Sequence, residues 1–136
     1  MSKNRSMPTS TVIPELPYLD VREAVDWLCK TFGFSERLQI GNHRAQLVFG
    51  DGSLVVTQSN ETNASFSIMV RVEDVDSHHE QTKQSGAKIV SPPADYPYGE
   101  RQYVVEDIGG HRWTFSQTIA DIDPGSWGGT LFENSD

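Results

Sequence analysis

Gln102-Tyr103-Val104-Val105-Glu106-Asp107-Ile108-Gly109-Gly110-His111-Arg112-Trp113-Thr114-Phe115-Ser116 reads as a strand, a glycine turn and a second strand. Trp113 and Phe115 alternate with Arg112, Thr114 and Ser116, the period of two that gives a strand one apolar and one polar face. Working back along the chain, Glu73-Asp74-Val75 opens a polar helical stretch that runs through Gln84 to Gly86. Before it, Phe66, Ile68, Val70 and Val72 alternate with Ser65, Ser67, Met69 and Arg71. The order is strand, helix, then strands about a turn.

The same order occurs once earlier. Leu19-Asp20-Val21 leads into a helix carrying Val25, Trp27, Leu28 and Phe32, closed by Gly33. Arg44–Phe49, the turn Gly50-Asp51-Gly52 and Leu54-Val55-Val56-Thr57 follow. The unit is βαβββ, repeated about 54 residues apart. Neither half could bury its apolar face as an isolated hairpin, so the two modules are expected to share a sheet. Trp27, Phe32, Trp113 and Phe115 are assigned to the core by their spacing.

Residues 1–10 are expected to form a flexible N-terminal segment, 11–117 one domain with modules at about 12–58 and 65–117, and 118–136 a C-terminal arm. Residues 60–64 read as a hinge. Residues 91–99 read as a stiff loop, because Pro92, Pro93 and Pro97 fix φ and lack the N–H a ladder needs. Tyr96 and Tyr98 sit on that loop, and Trp127 is expected to anchor the arm.

Eleven Lys and Arg against nineteen Asp and Glu leave a net charge of −8 on 136 residues. Such a chain repels phosphate backbones and anionic lipid surfaces, so neither nucleic acid nor membrane is an expected partner. No run approaches the roughly 18 apolar residues of a membrane span. A single cysteine, Cys29, excludes an intrachain disulfide and a Cys-based zinc cluster. With no apolar core behind Lys3 and Arg5, a cytoplasmic protein is expected.

The paired repeat resembles the vicinal oxygen chelate superfamily, which holds glyoxalase I, extradiol dioxygenases and the fosfomycin and bleomycin resistance proteins. Tyr98 through Phe115 is similar to the second-module hairpin of bleomycin-resistance-like members. There a Gly-x-Arg strand, here Gly99-Glu100-Arg101, leads through an Asp-Pro-x-Gly turn; Ile108 stands in place of the proline. Leu16-Pro17-Tyr18-Leu19-Asp20-Val21, Trp27 and Phe32-Gly33-Phe34 are similar to the first module. The resemblance implies an α+β fold: two βαβββ modules forming a half-barrel-like mixed sheet around a cleft, helices on the outer face. It also implies a homodimer, since antibiotic-binding relatives hold ligand between two chains.

The family's enzymes hold a divalent ion with His, Gln or Glu from the first and last strand of each module. By local pattern those places fall at Leu16, Val55, Ser67 and Thr114, which offer no strong ligand, so neither metal nor cofactor is expected. His78 and His79 are adjacent on a helix, point about 100° apart and read as solvated. His43 reads as a surface residue and His111 as a turn residue. Cys29 reads as a packed helix thiol whose pKa Lys30 would lower slightly. Glu100 and Glu106 are the carboxylates left for acid–base work.

A cleft without a metal is the usual form of a small-molecule site. Its candidate polar contacts are Arg44 and Gln46 in module one, and Ser67, Arg101, Arg112 and Thr114 in module two. Its candidate stacking surfaces are Tyr96, Tyr98 and Trp127. Arg101 has a second reading, paired with Glu100 or Asp107 at a loop edge. The expectation is a metal-independent protein that sequesters or carries a small organic ligand, of the kind that confers antibiotic resistance, rather than an enzyme. The rivals are a metal-dependent lyase, isomerase or dioxygenase on the same fold, and a metal-free enzyme with Arg101 or a tyrosine polarising substrate for a carboxylate base.

Overall fold

In the computed structural model, which describes residues 4–60 and 66–131, each Asp-Val pair of the repeat starts a helix. The Asp20 carboxylate accepts from the Glu23 N–H at 3.1 Å, and that of Asp74 accepts from the Ser77 N–H at 3.1 Å. Each therefore satisfies a backbone donor that the first helical turn leaves unpaired. The bonds to Ser77 hold the Asp74 carboxyl below the usual carboxylate range. The following valines, Val21 and Val75, are buried. The helices run Val21–Phe32 (α1) and Val75–Gln84 (α2).

The strands are β1 (Glu15–Tyr18), β2 (Ser35–Ile40), β3 (Arg44–Phe49), β4 (Gly52–Gln58), β5 (Ser67–Arg71), β6 (Lys88–Tyr96), β7 (Glu100–Glu106) and β8 (Arg112–Thr118). The fold is α+β, with the βαβββ unit present twice. The modules do not share a sheet, contrary to the sequence expectation. Each has its own four strands, in the orders β1-β4-β3-β2 and β5-β8-β7-β6. The reason is that the first strand of each module adds in parallel to the last, β1 to β4 and β5 to β8. A four-stranded sheet with one helix-covered face is enough for an independent core.

α1 packs on β2, β3 and β4, and α2 on β6, β7 and β8. On the helix side of the second sheet lie Ile68, Val70, Tyr103, Val105, Trp113 and Phe115, as alternation requires. His78 is half-buried against this core rather than freely solvated: its ring lies 4.1 Å from that of Phe115, and its Nδ1 is 2.6 Å from the Tyr103 hydroxyl. That hydroxyl donates to Thr82 Oγ1 at 2.9 Å. Burial pushes the Tyr103 phenol up to about 12 from its ordinary value of 10.0. The unfolded chain thus loses this proton near pH 10 while the folded protein keeps it. The associated stability is complete below pH 10 and is lost as pH rises toward 12. Urea midpoints measured from pH 8 to 12 are expected to fall over that window, and less so in Tyr103→Phe.

Two strands escaped the sequence. β2 is an edge strand, exposed along most of its length, so it shows no clear alternation. β6 occupies residues read as a proline-stiffened loop. Pro92 and Pro93 fit because β6 is also an edge strand and its ladder breaks between Ser91 and Ala94, where no N–H is required. Residues 4–10 of the N-terminal segment lie against the first module: Pro8 is buried, and Ser10 Oγ donates to the Asp51 carbonyl at 2.8 Å. The expected hinge lies, beyond Asn60, outside the described residues. Cys29 also departs from expectation: partial burial and the nearby Glu36 and Asp26 carboxylates push its thiol up. Lys30 pairs with Asp26 instead, at 3.0 Å.

Candidate functional site

The face of the second sheet away from α2 carries the polar half of the alternation. The register places Glu100, Gln102, Val104 and Glu106 of β7 beside Thr118, Ser116, Thr114 and Arg112 of β8. Met69 of β5 lies beside Thr114, Ser67 beside Arg112, and Tyr96 of β6 beside Glu100. Met69 is 63% exposed on this face, an unusual position for a large apolar side chain unless something covers it.

At one end a chain of hydrogen bonds runs in a single direction. The Tyr98 hydroxyl donates to Gln102 Oε1 (3.0 Å), Gln102 Nε2 donates to Ser116 Oγ (3.0 Å), and Ser116 Oγ donates to Glu100 Oε1 (2.6 Å). Gln102 and Ser116 are buried, so these bonds are strengthened by mutual polarisation and by the low local dielectric. Every donor points toward the carboxylate, which leaves the Tyr98 oxygen with a lone pair to offer. The Tyr98 ring stacks on Tyr96 at 5.6 Å and meets Trp127 at 5.4 Å, tilted by 56°. Tyr96 and Trp127 remain 37% and 48% exposed. Trp127 is carried by a short 3-10 helix, Pro124–Trp127, capped by the Asp123 carboxylate. The result is an aromatic corner with one fixed, partly wet face.

Of the residues singled out from sequence, Tyr96, Tyr98 and Trp127 come together here, and Thr114, Arg112 and Ser67 share their sheet face. Arg101 does not. It shares the helix side with Tyr103, where Nε bonds Asp76 at 3.1 Å and Nη1 bonds Asp95 at 3.0 Å. Neither Glu100 nor Asp107 is its partner. Arg44 and Gln46 lie together on the helix-free face of the first sheet. Arg44 pairs with Glu15 at 3.2 Å, and Gln46 is only 4% exposed beneath residues 4–10. Sequence reasoning missed Gln102 and Ser116 as parts of this corner, although their parity with Thr114 was visible.

The turn Asp107–His111 packs with the first module. His111 is fully buried, contrary to its reading as an ordinary turn residue. Its ring stacks on Phe66 at 4.1 Å, and Nε2 lies 2.8 Å from the Pro17 carbonyl. It belongs to the packing of that turn.

The strand positions that hold a metal in the family's enzymes do not fit one here. The period of two puts Leu16 on the α1 side, fully buried, while Val55 faces the opposite side. Glu15, which does share the Val55 side, is paired with Arg44. In the second sheet the register sets Met69, not Ser67, beside Thr114. Among the described residues no group of three or more His, Cys, Asp or Glu is placed to hold an ion. No described helix is long and apolar enough to cross a membrane.

Residues 13–115 match the family described as the Glyoxalase/Bleomycin resistance protein/Dioxygenase superfamily. The crystal structure of TioX from Micromonospora sp. ML1 is similar, with 37% identity and a TM-score of 0.74, covering 81% of this chain and 99% of TioX. TnmS3, an antibiotic binding protein from Streptomyces sp. CB03234, shows 26% identity and a TM-score of 0.69, over 82% of this chain and 98% of its own. An uncharacterised protein of Mycobacterium bovis is 28% identical over 72 residues, 53% of this chain. The chain spans less than half the length of the curated mycobacterial relatives it matches, 47% and 42%.

Proposed function

The chain belongs to the glyoxalase/bleomycin resistance protein/dioxygenase superfamily, and from that premise we propose that it binds a small organic molecule on the helix-free face of its second module without making or breaking a bond. The observation that carries this reading is the aromatic corner. Tyr98 is held by a buried hydrogen-bond chain while Tyr96 and Trp127 keep exposed ring surface. A planar ligand gains stacking area there at little cost in side-chain freedom. The Tyr98 oxygen and the Glu100 carboxylate favour a ligand that carries N–H or cationic groups, and so does the net charge of −8. Arg112, Thr114 and Ser67 would meet its polar substituents further along the face. Arg101, spent on Asp76 and Asp95, takes no part.

TnmS3, similar over most of this chain, is an antibiotic binding protein, which supports an antibiotic-like ligand. Metal independence is supported by the apolar or weakly ligating residues at the family's ligand positions. We take the protein to act as a cytoplasmic homodimer: the family resemblance implies the dimer, and an unpaired Cys29 suits a reducing compartment.

The test is a thermal-shift panel of planar and cationic antibiotics, bleomycin included, on protein purified without chelators. A ligand at a hundredfold excess over its Kd adds about 2.7 kcal/mol, a rise of roughly 10 °C for a chain of this size. Tyr98→Ala is expected to weaken binding of the best compound about tenfold or more, and Tyr98→Phe less, because the ring stays and only the hydroxyl goes. Stoichiometric metal in the same protein, or no shift across the panel, would overturn the reading.

A further inference from the structure

On the first module, residues 4–10 lie on the helix-free face of the sheet in the manner of a bound peptide. Gln46 Nε2 donates to the Ser6 carbonyl at 2.8 Å, and Arg37 Nη2 donates to the Arg5 carbonyl at 2.9 Å. Arg37 Nη1 also donates to Gln46 Oε1 at 2.6 Å, which fixes the amide with its N–H group turned toward the segment. The strand β2 is bulged at Arg37, between Glu36 and Leu38, and a bulge re-aims a side chain. Two donors are thus set to meet two successive carbonyls. Further along, Pro8 is buried, and Ser10 Oγ lies 2.8 Å from Ser53 Oγ.

The fit is polar and shallow. Met7 stays 46% exposed, and a cavity of about 630 Å³ lined by Asn4, Arg5, Ser6 and Leu38 runs beside the segment. Fixing seven residues for a few hydrogen bonds and one proline costs conformational entropy of the same order as those contacts return. With the segment gone water would reach both donors, but the Gln46 amide, still held by Arg37 at 2.6 Å, would keep its N–H group turned toward an acceptor on this face.

We propose that residues 4–10 are an internal stand-in for a ligand, occupying a surface of the first module where Gln46 and Arg37 read two successive carbonyl oxygens, and that an amide-bearing, peptide-like molecule takes that surface by displacing them. This surface is separate from the aromatic corner of the second module and does not depend on what binds there. The tether gives the segment an effective concentration in the millimolar range, so a free ligand competes only when the segment is loosened or its own affinity is high.

The test uses the full chain and its Pro8→Asp variant, which places a charge where Pro8 is buried, with Pro8→Gly as a milder second variant. Trypsin cleaves after Arg5 only when that segment is extended and free, so cleavage there is expected to be at least about tenfold faster in Pro8→Asp than in the unaltered chain. The probe is acetyl-Ser-Met-Pro-Thr-Ser-amide, which keeps both carbonyls and the proline but has no tryptic site. At millimolar concentration it should shift the Gln46 side-chain amide resonance in labelled Pro8→Asp, and do so at least tenfold less in the unaltered chain. The response should vanish when Gln46→Leu is added, with the loss of that resonance followed instead through the Arg37 side-chain N–H. Equal cleavage rates in all three proteins would show that the segment is not seated. Faster cleavage without any response to the peptide would show a seated segment on a surface that recognises nothing. Either result overturns the proposal, and neither bears on antibiotic binding at the second module.

Discussion

Gly99→Ala is expected to lower stability by about 3 kcal/mol, roughly 10 °C in Tm, and to disperse the aromatic corner. Gly99 has a φ of +83°, where an L side chain is strained. Space makes matters worse. A Cβ at this position would run into the Ala120 carbonyl oxygen and come within 2.9 Å of Ile122 Cγ1. The backbone cannot simply retreat, because the Gly99 N–H donates to the Tyr96 carbonyl at 3.1 Å and its own carbonyl accepts from Ile119 N–H at 2.9 Å. The turn between β6 and β7 is thereby clamped to the segment that leads to Trp127. Moving it separates Tyr96, Tyr98 and Trp127 at once. Calorimetry reads the stability, and near-ultraviolet circular dichroism reads the rings. The comparison with Tyr98→Ala is informative: that variant should lose ligand binding with much less loss of Tm. A Gly99→Ala protein within about 2 °C of the parent would mean that the turn and the arm are not held together as described.

The features that local chemistry dictates were legible from the residues. Asp20-Val21 and Asp74-Val75 announced two helix starts because capping is a local bond between neighbours. Trp113 and Phe115 announced their face by alternation. Arg101 could have been placed as well, since it has the parity of Tyr103, a buried residue on the α2 side; the pull of its charge toward a ligand site obscured that. Other features depend on partners far along the chain. Gln102 and Ser116 look like solvent-facing strand residues until Tyr98 and Glu100 are seen to close the hydrogen-bond chain around them. His111 looks like a turn residue because Pro17, Tyr18 and Phe66, which bury it, are 45 or more residues away in sequence. The edge strands β2 and β6 were hidden for the opposite reason. An edge needs neither alternation nor a full set of N–H donors, so little in composition marks it.

Asp107→Ala is expected to cost about 3–5 kcal/mol, the range for stripping one partner from a buried charged cluster. The Asp107 side chain is 5% exposed in total. Its Oδ1 accepts from the N–H groups of Gly109 and His111, both at 2.9 Å, and Oδ2 accepts from the Tyr18 hydroxyl at 2.7 Å. Alanine would leave all three donors facing a void. Burial first, and then the Asp107 charge, push the Tyr18 phenol well above its ordinary range, so Tyr18 is the donor in this bond at neutral pH. The Tyr18 ring also closes over the turn: a Cβ on Gly109 would lie 2.7 Å from its Cδ2. Asp107→Asn should cost less, about 1–2 kcal/mol, since the amide oxygen can keep the two backbone N–H groups while its NH2 faces the phenol oxygen. Tyr18→Phe alone should cost about 1–2 kcal/mol, by removing one donor from a buried carboxylate. Because Asp107→Ala and Tyr18→Phe break the same bond, the double variant that combines them should fall short of additivity by about 1–2 kcal/mol. Urea denaturation of the four proteins at pH 7 closes the cycle. Strict additivity, or a cost below about 1 kcal/mol for Asp107→Ala, would mean that water reaches the carboxylate and that the turn is held by its glycines alone.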